Sequence, residues 1–204
     1  ELEQNQLRWE IFKHKECNMT PQEYSAKRAA EMQKKTDLDN LTMAIALESR
    51  GEGLDGMFAV AKSILNRHQL INTKQVLPST FMPDSVNSKP TITDILFYPN
   101  QYQVVNSKTK TFKKQDSPVT EKDLEQARKA IYLASDTDRA VTYIMDRGLP
   151  MEIFDSTGFR RRDAKYDASQ DKGTFMVGKH QFNRAGHPGY EADLKAMEEA
   201  AQNK

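Results

Sequence analysis

Residues 48–53 form a glycine-spaced acidic stretch and hold the side chains of this sequence that are best placed to do chemistry. The stretch reads Glu-Ser-Arg-Gly-Glu-Gly and lies between two segments with the apolar spacing of amphipathic helices. Gly51 and Gly53 disfavour a helix interior and favour a helix end. The pattern therefore predicts a helix–helix junction, with Glu48 in the last turn of the first helix and its carboxylate near the start of the second.

A carboxyl group at such a junction, surrounded by apolar side chains, is a candidate general acid. Burial disfavours the charged form and raises the pKa of a carboxyl group, and proton donation at neutral pH requires that rise. The alternative is a helix–glycine–helix corner whose glutamates face solvent or pair with Arg50 and Arg67. On the pattern alone this alternative is the more common arrangement, because charged residues at helix ends usually face water.

Helices are predicted on both sides of the junction. Asp55 can favour the start of the second helix, and three residues are candidate N-caps for the first: Thr36, Asp37 and Asp39. Further upstream, the sequence Thr-Pro-Gln-Glu at 20–23 is a capping box with proline at the first helical position. It opens a charge-rich helix that extends to about Lys35.

Other elements are predicted along the rest of the chain. Thr120, with Asp123 three residues later, opens a helix that keeps its apolar spacing to Ala134. The β-branched segment 141–145 predicts a strand or extended segment. The remaining expectations are a short helix or strand at 91–97, a strand with a glycine break at 174–182, and a terminal helix at 190–203.

Composition and charge limit the classes of protein. The chain has 204 residues, of which 37% are hydrophobic and 29% charged, and this length suits one domain with appended helices. The net charge of +1 provides no overall field that would favour nucleic acid. Four lysines at 108, 110, 113 and 114 form a basic run, which is typical of a solvated face. Beside a cleft, the run would favour a polyanionic substrate.

Metal, nucleophile and phosphate chemistries have weak support. No two of the four histidines (His14, His68, His180 and His187) have the helical spacing of a zinc site, and Cys17 is the only cysteine. The sequence contains neither a Gly-x-Ser-x-Gly motif nor a phosphate-binding glycine loop. We therefore expect carboxylate chemistry without a metal or cofactor. We also expect no membrane span, since no apolar run is long enough, and we interpret the start at Glu1 as a processed or engineered fragment.

Several motifs, in order, resemble the cell-wall hydrolases typified by the spore-cortex-lytic enzyme. The most specific is Ala-Leu-Glu-Ser-Arg-Gly-Glu-Gly at 46–53, followed by Gly56, Ala-Val-Ala at 59–61 and Ile-Leu-Asn-Arg at 64–67. Three later segments match less specifically: 100–103, 140–143 and 178–182. The resemblance covers about residues 38–183. The sequence departs from the family pattern at Ser49 and Lys179, and residues 146–174 form an insertion-like polar stretch.

The resemblance implies an α+β, mostly α fold with a lysozyme-like catalytic domain at 36–183. The flanks match no part of the family pattern, and their polar composition predicts helical extensions at 1–35 and 184–204. It implies cleavage of the β-1,4 bond between N-acetylmuramic acid and N-acetylglucosamine. Glu48 falls on the catalytic glutamate of the family. Four residues fall on positions that line or support the cleft: Glu52, Gln101, Tyr143 and His180. Tyr102 offers a further aromatic face for a sugar ring.

We therefore expect a lytic transglycosylase that binds peptidoglycan glycan strands and uses Glu48 as acid and base. One alternative is a hydrolytic muramidase with a second carboxylate such as Glu52, although Glu52 could instead pair with Arg50 or Arg67 in a structural role. Another is a non-catalytic assembly protein of a phage particle or envelope machine, with the terminal extensions contacting a protein partner. The substrate implies a location in the cell envelope, periplasmic or extracellular, or in a phage virion that acts on the host wall.

Overall fold

The structure, a computed structural model, describes residues 19–75, 81–82, 89–99, 101–161 and 174–184. These residues form a mostly helical α+β structure with small antiparallel sheets, as the coarse fold class predicted. They divide into one unit that ends at Leu38 and a second that starts at Asp39. The predicted terminal helix at 190–203 and the first 18 residues lie outside the described part of the chain.

The elements follow one another in a simple order. The described residues contain six helical elements: α1 (Pro21–Glu48), α2 (Gly53–Asn72), α3 (Ile92–Leu96), α4 (Glu121–Ala134), α5 (Thr137–Arg147) and a 3₁₀ helix (Met151–Asp155). The same ranges contain five strands: β1 (Val105–Asn106), β2 (Thr111–Phe112), β3 (Ser156–Arg161), β4 (Thr174–Val177) and β5 (His180–Arg184).

Helix α1 begins at the predicted capping box. The Glu23 carboxylate accepts the backbone N–H of Thr20 at 2.7 Å, and the Thr20 hydroxyl accepts the backbone N–H of Glu23 at 3.2 Å. The helix then continues without a break to Glu48, so the prediction of a new N-cap at 36–39 was wrong. The reason is that a residue inside a formed helix has no unpaired N–H to cap. The Thr36 hydroxyl instead donates to the carbonyl of Met32 at 3.0 Å.

Helix α2 lies at the centre of the second unit and packs against α4, β3 and the 3₁₀ helix. Its apolar residues recur on several faces, and Met57 to Ala61 are all buried, which is the pattern of a core helix rather than a surface helix. Phe58 and Ile64 are fully buried within the main core cluster. This helix follows directly after the junction at 48–52 and carries Asn66 and Arg67.

Helices α4 and α5 show one confirmed and one wrong prediction. The capping box of Thr120 and Asp123 opens α4, as predicted. The segment 141–145, predicted as a strand, is helical and belongs to α5. Capping residues at both ends favour the helix over a strand. The Asp136 side chain accepts the N–H of Arg139 at the start, and Gly148 ends the helix in a left-handed conformation.

The larger sheet has the antiparallel order β3-β5-β4. Strands β4 and β5 form a hairpin that turns at Gly178. The prediction of strand structure with a break at this glycine is confirmed, but the segment is two antiparallel strands and not one strand. Strand β3, which pairs with β5 in the register Arg161 to His180, comes from the polar stretch that the sequence did not assign to an element. Helix α3 resolves the choice at 91–97 in favour of a helix.

Candidate active site

The junction after α1 has the geometry that its glycines predicted. Gly51 and Gly53 both have positive φ angles, +84° and +68°, and they separate the end of α1 from the body of α2. The Ser49 hydroxyl donates to the carbonyl of Ile45 at 2.7 Å and closes the last turn of α1. Glu48, the last residue of α1, is therefore held at a defined helix end rather than in a loop.

The Glu48 side chain is almost enclosed, with 7% of the residue exposed. Its Oε1 accepts the backbone N–H of Val104 at 3.4 Å, a contact made across the core. Tyr102 lies close enough to interact electrostatically: burial raises the pKa of the Tyr102 hydroxyl, the Arg67 guanidinium lowers it, and the Glu48 carboxylate raises it. A carboxyl group with these surroundings has limited access to water and accepts a hydrogen bond from a backbone N–H of the described core.

Arg67 connects the loop before β1 to the start of the larger sheet. Its guanidinium donates to the Gln101 side-chain oxygen, to the Thr157 backbone oxygen and, at 3.4 Å, to the Tyr102 hydroxyl. The Gln101 amide nitrogen in turn donates to the backbone oxygen of Phe81 at 2.9 Å. Gln101 and Tyr102 are thus brought together near Glu48, but their polar groups contact Arg67, whose role the sequence analysis did not predict.

Asn66, beside Arg67, fixes the 3₁₀ helix and the start of β3. Its side-chain amide donates to the backbone oxygens of Phe154 and Ser156, each at 2.8 Å, and the residue is buried. Two consecutive residues of α2 therefore hold the backbone of the segment 154–157. Because α2 also carries the junction at its other end, the position of the sheet is coupled to that of the Glu48 helix end.

Glu52 pairs with His180, not with the arginines considered from the sequence. Glu52 Oε1 lies 2.7 Å from His180 Nδ1, at ion-pair distance but without good hydrogen-bond alignment, and both side chains are almost fully buried. Glu52 Oε2 accepts the backbone N–H of Lys179 at 3.3 Å. Arg50 instead donates to the backbone oxygens of residues 117 and 118. The second glutamate of the junction is thus occupied with the β4–β5 turn.

Glycines on both sides leave room for the Glu52 carboxylate. A Cβ added at Gly56 would lie 2.6 Å from Glu52 Cβ, and one added at Gly178 would lie 2.7 Å from Glu52 Oε2. Gly178 also has a φ of +58°, where other residues are strained. The two glycines therefore shape a close-fitting niche for Glu52 beside the hairpin.

We expect Gly178→Ala to destabilise the protein more than Gly148→Ala. Both glycines have positive φ, so each alanine adds strain of about 1 kcal/mol. Only the Cβ at 178 meets the Glu52 carboxylate, whereas nothing lies within 4 Å of a Cβ at 148. Denaturant unfolding measures the loss of unfolding free energy in each variant. In a Glu52→Ala background, the additional loss for Gly178→Ala over Gly148→Ala should disappear. Equal costs of the two alanines in the wild-type background would contradict the close-fitting niche.

Tyr143 lies apart from the other predicted site residues. Its hydroxyl donates to Asp55 Oδ1 at 2.6 Å, and its ring packs on Phe58 with the centroids 4.8 Å apart. Burial, with the hydrogen bond to Asp55, raises the pKa of the Tyr143 hydroxyl well above its ordinary value. The hydrogen-bonded Arg147 guanidinium holds the pKa of Asp55 below its ordinary value, against the effect of burial. Tyr143 therefore connects α5 to the first turn of α2.

The contribution of the Asp55 carboxylate to the stability of the fold should decrease as the pH is lowered. The pKa of Asp55 is lowered in the folded state, so its carboxylate stabilises the fold above the unfolded pKa of about 3.9 and loses that effect as pH falls through the folded value. We expect Asp55→Asn to destabilise the protein near neutral pH and the difference from wild type to shrink in acid. Denaturant unfolding across pH measures it, with exposed Asp138→Asn as the control. A difference that is constant down to pH ~3 would contradict this role.

The predicted site residues thus form three groups. Glu48, Gln101 and Tyr102 gather around Arg67 and Val104. Glu52 and His180 form a second pair, which an aromatic path joins to the first group: the Phe159 ring lies 5.9 Å from that of Tyr102 and 5.4 Å from that of His180. Tyr143 contacts neither group among the described contacts. Asn100 lies outside the described residues.

Other features of the described ranges bear on partners. They contain no group of three or more His, Cys, Asp or Glu side chains arranged to bind a metal ion. None of their helices combines the length and apolar character that a membrane span requires. Comparisons of the chain with protein-family models, with curated proteins and with solved structures found no match.

Proposed function

We propose that this chain cleaves the glycan strands of peptidoglycan, as a glycosidase of the cell-wall hydrolase family that its motifs resemble. The observation that carries the proposal is the nearly buried Glu48 carboxylate at a glycine-formed helix end, with one peptide N–H donated to it. Burial favours the protonated form that an acid catalyst needs. The N–H of Val104 favours the ionised form that the same residue must adopt after donating its proton.

Within this proposal, lytic transglycosylation fits better than hydrolysis with two carboxylates. Retaining hydrolysis uses a second carboxyl group as nucleophile, and inverting hydrolysis uses one as base. Glu52 is the other glutamate of the junction, and its oxygens contact His180 and the N–H of Lys179. A carboxylate so occupied is a poor candidate for attack on a sugar, which supports a mechanism with one catalytic carboxyl group.

The proposed reaction uses Glu48 twice. The protonated carboxyl group donates its proton to the glycosidic oxygen as the bond from that oxygen to the anomeric carbon of muramic acid breaks. The resulting carboxylate then accepts the proton of the muramic 6-hydroxyl, whose oxygen bonds to the anomeric carbon. The acetamido group of the substrate can stabilise the cationic centre. The products are a free 4-hydroxyl on N-acetylglucosamine and a 1,6-anhydro end, and Glu48 is again protonated.

The proposal includes a lysozyme-like catalytic domain and action in the cell envelope, or from a phage virion on the host wall. The deciding experiment incubates the purified protein with peptidoglycan and identifies the product ends by mass spectrometry. Anhydro ends support transglycosylation, whereas reducing ends would assign hydrolysis. An absence of cleavage would reject the enzymatic proposal in favour of a non-catalytic assembly protein.

A further inference from the structure

A hairpin that carries four lysines is joined directly to the backbone that contacts Glu48. This lysine hairpin comprises residues 105–114. Val104 makes the connection: its N–H reaches Glu48 Oε1 at 3.4 Å, and its carbonyl oxygen accepts the backbone N–H of Lys113 at 2.8 Å. Four peptide units separate Val104 from Lys108, a span of at most about 14 Å. The backbone that carries the lysines is therefore bonded to the same residue that contacts Glu48.

The lysine hairpin is anchored to the core and held in shape. Val105 pairs with Phe112 across the two strands, Val105 is buried, and the Phe112 ring lies 5.3 Å from that of Phe97. In the turn, the Asn106 side-chain oxygen accepts two backbone N–H groups, at 3.1 and 3.3 Å. The lysine side chains therefore project from a fixed backbone.

The lysine hairpin carries a local excess of positive charge. Residues 103–116 contain four lysines and one acidic residue, Asp116, in a chain whose net charge is only +1. All four lysines are exposed. Among the described residues, none of them forms an ion pair. A local excess of three positive charges attracts and retains anionic groups.

We infer that the lysine hairpin binds the carboxylates of the peptide stems that the glycan strand carries, an inference that rests on the proposed function. The sugars of a stem-bearing strand are uncharged, because the lactyl group of each muramic acid is in amide linkage to its peptide. Negative charge next to the scissile bond therefore comes from the stems. Lysines suit this ligand, since their flexible side chains and compact charges can follow carboxylates whose positions vary.

The test compares two forms of peptidoglycan that are free of wall phosphate polymers: one with its stem carboxylates free, and the same polymer with those carboxylates converted to neutral amides. We expect wild type to have a kcat/KM about tenfold higher on the polymer with free carboxylates at low salt, mainly through KM. The preference should weaken in ~0.5 M NaCl because salt screens exposed charges. Changing lysines 108, 110, 113 and 114 together to glutamine should abolish the preference.

A matched control removes the same charge elsewhere. Glutamine at four exposed positions on α1 and α4 should leave the preference intact: Lys34, Lys35, Lys122 and Lys129. A wild-type enzyme that cleaves both polymers equally well, or a hairpin variant that keeps the preference, would overturn the inference and leave the proposed function standing.

A binding measurement with the two polymers distinguishes failure of the inference from failure of the proposed function, because it requires no cleavage. If wild type cleaves neither polymer, the proposed function fails, and pelleting with the two polymers decides the inference. Stronger retention on the polymer with free carboxylates that is lost in the hairpin variant supports it, and equal retention overturns it. A preference that appears only after wall phosphate polymers are added would assign the hairpin to phosphate groups and overturn the carboxylate assignment.

Discussion

Glu48→Gln is expected to slow peptidoglycan cleavage by about 10²–10⁴-fold, the range that a general acid–base residue contributes. Glutamine keeps the shape of the side chain, and its oxygen can still accept the N–H of Val104. It can neither protonate the glycosidic oxygen nor take the proton of the 6-hydroxyl. Both kcat and kcat/KM should therefore fall together. Release of soluble muropeptides measures the rate, and circular dichroism checks that the variant is folded.

Glu52→Gln is the matched control, because it makes the same chemical change four residues later. Glutamine at 52 can still accept the N–H of Lys179. Its effect should appear mainly in stability, since Glu52 contacts His180 rather than a catalytic position. If Glu48→Gln retained activity to within about tenfold of wild type, Glu48 would not be the acid. An equal loss in both variants would favour the hydrolytic alternative with two carboxylates.

The helix junction could be predicted because its signals are local. Gly51 and Gly53 need only their own φ angles to end one helix and begin the next, and the apolar spacing of α2 marks its buried faces. The capping boxes at residues 20–23 and 120–123 are likewise read within four residues. The burial of Glu48 did not follow from the pattern, which is more often that of a solvent-facing glutamate; the residue is buried at the end of a segment in which every residue from Leu41 except Met43 is buried.

Residues 141–145 show where propensity misleads. Val, Thr, Tyr and Ile favour strands, but this preference is weak and depends on neighbours. Here Ala140 and Ile144, four residues apart, are both buried, and capping residues stand at both ends of the segment. The Asp136 cap and Gly148 were visible in the sequence and were the better signals.

The partner of Glu52 could not be predicted, because Lys179 and His180 lie more than a hundred residues away in sequence and meet Glu52 only in the folded chain. The available hint was indirect. Gly56 and Gly178 both lack the side-chain atom that would strike Glu52, and one of them directly precedes Lys179 in the turn. A glycine inside a helix and another in a hairpin turn can therefore mark one crowded site.

Arg67→Met is expected to destabilise the fold by about 3 kcal/mol, because it leaves one acceptor on a buried residue and one half-buried acceptor without this donor. The backbone oxygen of Thr157 and the side-chain oxygen of Gln101 would both lose the guanidinium. Methionine retains most of the apolar length of arginine, so the loss reports the hydrogen bonds rather than a cavity. Arg67→Lys should recover only part of the stability, since an ammonium lacks the planar fork that serves several acceptors.

The matched control is Arg139→Met, which removes a guanidinium that lies 3.9 Å from the Tyr132 ring centroid and donates to the Tyr132 backbone oxygen. Tyr132 is exposed, so water can replace the lost donor and the cost should stay below about 1 kcal/mol. Denaturant unfolding gives both values. Equal losses would mean that Arg67 is no more than a surface contact. A larger loss at Arg67 would support a structural role for this side chain, which joins α2 to Gln101 in the loop and to Thr157 in the sheet. Both contacts lie beside Tyr102, so the same hydrogen bonds would hold the surroundings of Glu48 in place.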